Sequence, residues 1–351
     1  MKKQTTLITS QTLIAMNDSM HQAGQAANEA AARAAFDDYI ARKATNTIRR
    51  KMADLALFEQ FLNSSGVPAS ALFDNPQAWC GVTWGLVEGF KVWQLRNGYA
   101  IGSINGRLST VRTYTRIAAK AGAIAAEESL LIASVQGYAG KEAKHIDEKR
   151  RADGLDTRKG SKKAEAVSIP EDIAQAMKNQ PNTPKGRRDS LLMCLLLDHG
   201  LRIGEAAILT RTAFDMRSGT FTFYRPKVHK TQTHELTADT RKAAASYFKH
   251  DAPAEGILWR RSCKGTGKLS NQMSELSATR ALTKRVELLG RHAGIEGLSA
   301  HDGRHYWATF EAKSKTPVNR LMDAGGWSSP SMPLRYIEAA HIANKGTAKV
   351  E

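Results

Sequence analysis

The stretch "GLRIGEAAILT", residues 200–210, sets Arg202 three positions ahead of Glu205, directly behind a run of leucines. That spacing suits an ion pair at a helix start, because residues three and four apart are neighbours on a helix. Taken alone the pair reads as that local contact, but a guanidinium is also a planar fork of donors that stays charged and matches a phosphate, which makes Arg202 a candidate anion ligand once other residues join it. Further along, "HDGRHYWATF" brings His301, Arg304 and His305 onto one helical side. Two chemistries fit that helix. His301 and His305 have the i, i+4 spacing of a zinc hydrolase motif, but the motif wants a glutamate after the first histidine, where this chain has Asp302. Arg304 would also set a positive charge beside the metal. The other chemistry is phosphate binding by His301 and Arg304 together. Nearer the end, "AGGWSSPSMPLRYIEAAH" places Trp327 behind a glycine pair and Tyr336 nine positions later. A tyrosine serves as a nucleophile only where its attack is aided and the developing negative charge is stabilised. The "GTGK" of Gly265 to Lys268 does not make a nucleotide-binding loop, since Leu269 replaces the required hydroxyl residue and Ser262 stands where the first glycine belongs.

Helices and one hairpin must gather these residues. In "SIPEDIAQAMK", Ser168 and Pro170 mark a helix start, and "RRDSLLMCLLLDHG" is apolar nearly all round, as a buried helix ended by Gly200 would be. The segment "GTFTFYRPKVHKTQTHELT" alternates instead, with Phe221 and Phe223 on one face and Thr220, Thr222 and Tyr224 on the other. It predicts the one clear β-hairpin, with Lys227 and Lys230 near its turn. Helical patterns resume at "TRALTKRVELLGRHAG", at "AHDGRHYWATFEAK" and near the C-terminus.

Residues 45–140 read as a small all-helical domain: Ile104, Leu108, Val111, Tyr114 and Ile117 repeat at helical spacing, with Arg107, Arg112 and Arg116 around them. Residues 141–165 are strongly charged with little to bury, and read as a basic linker to a second domain at 166–351. Residues 1–44 are rich in alanine and predict a helical arm with few large apolar side chains to pin it down. The expected fold class is mainly α with a small antiparallel β-sheet, in two domains.

A length of 351 residues is long for a single core, and a formal charge of +17 favours a polyanionic partner, nucleic acid first and an acidic membrane surface second. No segment approaches the roughly 18 uninterrupted apolar residues of a membrane helix. The first twenty residues are interrupted by Thr, Ser, Gln and Asn rather than forming a secretory core. A cytoplasmic protein is therefore expected. Cys80, Cys194 and Cys263 form neither a CxxC pair nor an even set, which argues against a disulfide framework or a cysteine zinc site.

Taken in order, Arg202 in "GLRIGEAAIL", a hairpin lysine, His301 and Arg304 as HxxR, Trp327 after "GG" and Tyr336 resemble the tyrosine recombinase and phage integrase family over residues 185–340. The tryptophan is similar to that of its Cre-like members. The resemblance implies a helical core-binding domain followed by a mixed α/β catalytic domain. It also implies a site-specific recombinase that cuts and rejoins double-stranded DNA through a 3'-phosphotyrosyl intermediate. Arg202 and Arg304 would hold the non-bridging oxygens, and Tyr336 would attack phosphorus. Lys230 would protonate the departing 5'-oxygen, with Lys227 as its rival. Glu205 would buttress Arg202, and His301 would bond the phosphate or assist proton movement. Trp327 stands where the family more often has histidine; it can donate a hydrogen bond but cannot shuttle protons. Arg107, Arg112, Arg116, Lys227 and the linker's basic residues are candidates for contacts to the DNA.

The same resemblance implies no cofactor, neither ATP nor a metal, because the linkage energy stays in the ester and fixed cations supply the electrostatics. A homotetramer on two DNA sites is implied, with the residues around Ile337 and Ile342 docking on a neighbouring protomer. Gly303 departs from the pattern, where the family usually has a large apolar residue; glycine weakens a helix by about 1 kcal/mol relative to alanine. Two further functions stay open: a type IB topoisomerase-like strand transferase, and a catalytically silent DNA-binding regulator.

Overall fold

The structure, a computed structural model, describes residues 10–159, 166–263 and 267–340. It is mainly α-helical with two small antiparallel sheets, and divides into two compact units, Met1–Ala164 and Glu165–Glu351.

The first unit carries α1 (Ser10–Ala41), α2 (Thr45–Ser64), α3 (Trp84–Arg96), α4 (Ile101–Lys120), α5 (Ala126–Ser134) and α6 (Gly140–Ala152). The predicted stripe of α4 is buried as a face, with Ile104, Leu108, Val111, Tyr114 and Ile117 meeting Phe58, Trp79 and Phe90 in one core. Two expectations need correction here. The alanine-rich arm is pinned at its far end, since Phe36 is buried in this core and packs edge-on against Tyr114. The stretch read as a linker is helical over α6 and buries Arg150, which donates to the Asp147 carboxylate, to the Tyr99 carbonyl and to the Asp156 carbonyl. A long charged side chain can be taken inside when acceptors wait for its donors. Residues 160–165 of that stretch lie outside the described residues.

The second unit runs α7 (Glu171–Lys178), α8 (Pro184–Leu197), α9 (Ile203–Ala207), β1 (Phe214–Asp215), β2 (Thr220–Arg225), β3 (Lys230–Glu235), α10 (Ala238–His250), β4 (Arg260–Ser262), β5 (Leu269–Gln272), α11 (Glu275–His292), α12 (Ala300–Lys313), α13 (Val318–Gly325) and α14 (Ser331–Ala340). Helix α8 is the central rod: every residue from Leu191 to Leu197 is buried, and α7, α9, α10 and α12 pack around it. Gly303 brings α12 close to that rod, since a Cβ there would sit 3.3 Å from the Leu196 Cβ. The departure from a large apolar residue is thus a close helix crossing.

The hairpin forms as its alternation predicts, in the order β1-β2-β3, with Phe221 and Phe223 turned inward. It is not the only hairpin among the described residues, because β4 and β5 also pair antiparallel. Those strands have three and four residues, and neither shows an apolar alternation long enough to read. Gly265 and Ile342 lie outside the described residues.

Candidate active site

Helix α9 is only five residues long and is held from outside. Trp259 Nε1 donates to the Ala206 carbonyl at 2.7 Å, and Leu258 N donates to the Leu209 carbonyl at 2.8 Å. Arg202 is its N-cap residue. Glu205 Oε2 accepts from the Arg202 backbone N–H at 2.9 Å, and Glu205 Oε1 accepts from Arg202 Nη1 at 2.8 Å. The helix-start ion pair is therefore real, but it is not the whole story: Glu205 is 2% exposed and shares Oε2 with Arg225 Nη1 at 2.8 Å.

Helix α12 starts with a capping box in which Asp302 accepts from the backbone N–H and the hydroxyl of Ser299. Asp302 also accepts from Val167 N at 2.9 Å. The residue that spoiled the zinc motif thus fixes the first turn, which carries His301. Among the described residues no group of three or more His, Cys, Asp or Glu side chains could hold a metal. One turn on, Arg304 is 2% exposed, with Nη1 on the Gly200 carbonyl at 2.6 Å and Nη2 on the Gly325 carbonyl at 2.5 Å. Gly200 lies in the left-handed region at φ +59° with the Trp307 ring against it, a passage that a side chain would block.

Trp327 follows the end of α13, and its ring lies 4.6 Å from the Arg304 guanidinium and 5.8 Å from the ring of Tyr336. Tyr336, on α14, is 6% exposed and also meets the ring of His305 at 5.3 Å. His305 in turn packs edge-on to His301 at 4.6 Å. Arg202, Glu205, His301, Arg304, Trp327 and Tyr336 are therefore brought to one place. Burial pushes the Tyr336 phenol above its ordinary pKa, and the charges of Arg304, Arg202 and Arg335 pull it back. Burial, reinforced by Arg202 and Arg225, lowers Arg304 to about 10, so it remains a cation at neutral pH. His301 and His305 are both lowered, chiefly by burial, which favours their neutral imidazoles.

The hairpin lysines differ. Lys230 opens β3 opposite Arg225 and pairs with Asp323 at 2.8 Å, in a contact with both side chains more than half exposed. Lys227 lies exposed in the turn, with no ion pair or hydrogen bond among the described residues. Of the backbone-contact candidates, Arg107 donates to Gln94 Oε1 at 3.1 Å and stacks 4.4 Å from the Tyr99 ring, while Arg112 donates to the Val135 carbonyl at 2.9 Å. Arg116 is exposed, and its side chain donates to the Arg112 carbonyl.

Two further residues line the site. In sequence His305 stands out only as the i, i+4 partner of His301. Arg225 carries no motif, but the alternation that turns Phe221 and Phe223 inward continues to it, and a charge on the inward face of a strand is the signal for a built polar site.

Comparisons with known proteins bear on the family and the fold. The "Phage integrase family" model matches residues 168–341. The integrase of Salmonella phage P22 is 42% identical over 53 residues, which cover 15% of this chain and 13% of that protein. The putative integrase/recombinase y4rF of Sinorhizobium fredii (strain NBRC 101917 / NGR234) is 26% identical over 166 residues, 45% of this chain and 37% of that one. The chain thus spans well under half the length of these curated relatives. Among solved structures, the Tn1549 transposon integrase in complex with transposon right end DNA has a TM-score of 0.59 at 14% identity, covering 89% of this chain and 95% of that one. A lambda integrase dimer bound to a COC' core site has a TM-score of 0.56 at 15% identity, covering 87% and 94%. Both share the mainly helical, two-domain fold. The family model reaches from just before α7 past Tyr336, so residues 168–341 of the chain form a phage integrase family domain.

Proposed function

We propose that this chain is a site-specific tyrosine recombinase that cuts and rejoins double-stranded DNA through Tyr336. The observation that carries the reading is that Arg304 and Tyr336, both buried and far apart in sequence, share the Trp327 ring, 4.6 Å from the guanidinium and 5.8 Å from the phenol ring, while Gly200, whose carbonyl accepts from Arg304, stands two residues before Arg202. In the step proposed, the Tyr336 oxygen forms a bond to phosphorus and the bond to the 5'-oxygen breaks. The phenolic proton leaves to neutral His305 or His301 or to solvent, and the 5'-oxygen takes a proton from a hairpin lysine. The phosphodiester energy is kept in the 3'-phosphotyrosyl bond. Guanidinium forks suit the non-bridging oxygens, where charge grows in the transition state. Trp327 packs on Arg304 and serves to hold it, so the Cre-like resemblance rests on a ring with a positioning use.

A relative solved as a dimer on a core site, together with the +17 charge, supports duplex DNA as partner. A homotetramer on paired sites belongs to the same proposal. Burial favours the silent binder as second reading: Tyr336 is 6% exposed, and each terminal nitrogen of Arg304 already donates to a backbone carbonyl.

A nicked suicide duplex decides between them. Wild-type chain is expected to form a covalent adduct, and Tyr336→Phe to bind the duplex normally and form none. Exchange between two marked duplexes then separates a recombinase from a topoisomerase-like transferase. Adduct with the Tyr336→Phe variant would sink the assignment of the nucleophile.

A further inference from the structure

A guanidinium with no exposure to solvent must spend its donors on fixed acceptors, because an unpaired buried charge is costly. Arg225 is 0% exposed, and its acceptors come from three different elements. Nη1 reaches Glu205 Oε2 at 2.8 Å, Nη2 reaches the Ala324 carbonyl at 2.7 Å, and Nε donates to Gln232 Oε1. Two of these bonds lead towards a proposed phosphate ligand. The other oxygen of Glu205 holds Arg202, while the carbonyl after Ala324, that of Gly325, holds Arg304. Gln232 closes the circuit by donating to the Asp323 carbonyl at 2.6 Å. Consecutive carbonyls at the end of α13 thus accept from two buried arginines, the favourable end of a helix for positive charge. Gly326 makes room for this: it adopts φ +60°, and a Cβ there would fall 2.6 Å from the Arg225 Cδ.

We infer that Arg225 is a positioning residue for strand cleavage, setting Arg202 through Glu205 and Arg304 through the last turn of α13. The inference rests on the recombinase reading above. Small misplacements of aligned groups cost large factors in rate, which is why such a residue matters without touching the phosphate. Lysine cannot replace it, because one ammonium lacks the planar fork that spans two acceptors on separate elements. The competing role is a simple hairpin anchor, whose loss would lower stability and DNA affinity along with the rate.

The test uses the full chain on a duplex that it selects from a random-sequence library, nicked beside the scissile phosphate. Single-turnover adduct formation, duplex affinity and melting temperature are measured side by side. R225K and R225M are expected to slow adduct formation by about tenfold or more, with affinity within about twofold of wild type. E205Q slows it as well, and R225M/E205Q is no slower than the slower single variant, since both act through Arg202. A wild-type rate in R225K or R225M overturns the inference. So do losses that add in the double variant, or a rate that falls only in step with affinity and melting temperature. Absence of adduct in the wild-type lane is a separate outcome: it removes the recombinase reading, and the role of Arg225 with it.

Discussion

The two hairpin lysines show how far residue-scale geometry refines a motif. Lys230 is at the preferred place in sequence, yet its ammonium already has a carboxylate partner in Asp323, whereas Lys227, exposed in the turn, has none among the described residues. The pair with Asp323 is exposed and so weak enough for DNA to displace. A leaving group that needs no proton distinguishes the two. Replacing the bridging 5'-oxygen by sulfur gives a departing thiolate that leaves without an acid. The variant lacking the true acid, Lys230→Ala or Lys227→Ala, should be slowed by about 100-fold on the oxygen substrate and restored on the sulfur one. If neither variant is restored, the acid does not come from the hairpin. At this scale the sequence displayed Arg202, Glu205, His301, Arg304, Trp327 and Tyr336, because a motif preserves order and residue type. It did not display Arg225 as a partner of Glu205, because that contact joins strand and helix through folding alone.

Elements explain what patterning can and cannot reveal. The stripe of α4 and the alternation of β2 were legible because burial imposes a period on the residues that face a core, and α8 because a helix buried all round is apolar nearly all round. Helix α6 was not, since its inward residue is an arginine, and a charge run looks the same whether solvated or bonded. The joint between α8, the hairpin and α10 carries another consequence that composition hides. His199 bonds the Thr240 hydroxyl at 3.0 Å and meets the ring of His234 at 5.8 Å. Burial is the first cause for both, lowering His199 to about 3 and His234 to about 4. Both folded values lie below the unfolded histidine value, so their contribution to stability is complete above about pH 6.5 and is lost as the pH falls towards the folded pKa. Between pH 7 and 5 the loss should be about 2 kcal/mol for each histidine, in a range where the carboxylates stay ionised. Denaturant titration of the chain at several pH values checks this, and His234→Gln should flatten the dependence. A midpoint that does not move between pH 7 and 5 would contradict it.

At the scale of the whole molecule, a formal charge of +17 does not say which cations meet a polyanion, and the helical unit shows why a count misleads. Arg107, Arg112 and Arg116 lie on one helix and look alike in sequence. Arg107 is nevertheless engaged by Gln94, by the Tyr99 ring and by Asp54 at 3.9 Å, while burial lowers its pKa. Arg116 is exposed. Phosphate binding releases condensed counterions, so each cation that truly contacts the backbone contributes to the slope of log affinity against log salt. Arg116→Ala is therefore expected to weaken duplex binding and reduce that slope by about 1, whereas Arg107→Ala should leave the slope unchanged and lower the stability of the helical unit. Titrating a non-specific duplex across salt concentrations reads both outcomes without knowledge of the target sequence. Equal slopes for wild type and Arg116→Ala, or a slope reduced in Arg107→Ala, would move the DNA-facing side of α4 to its other face.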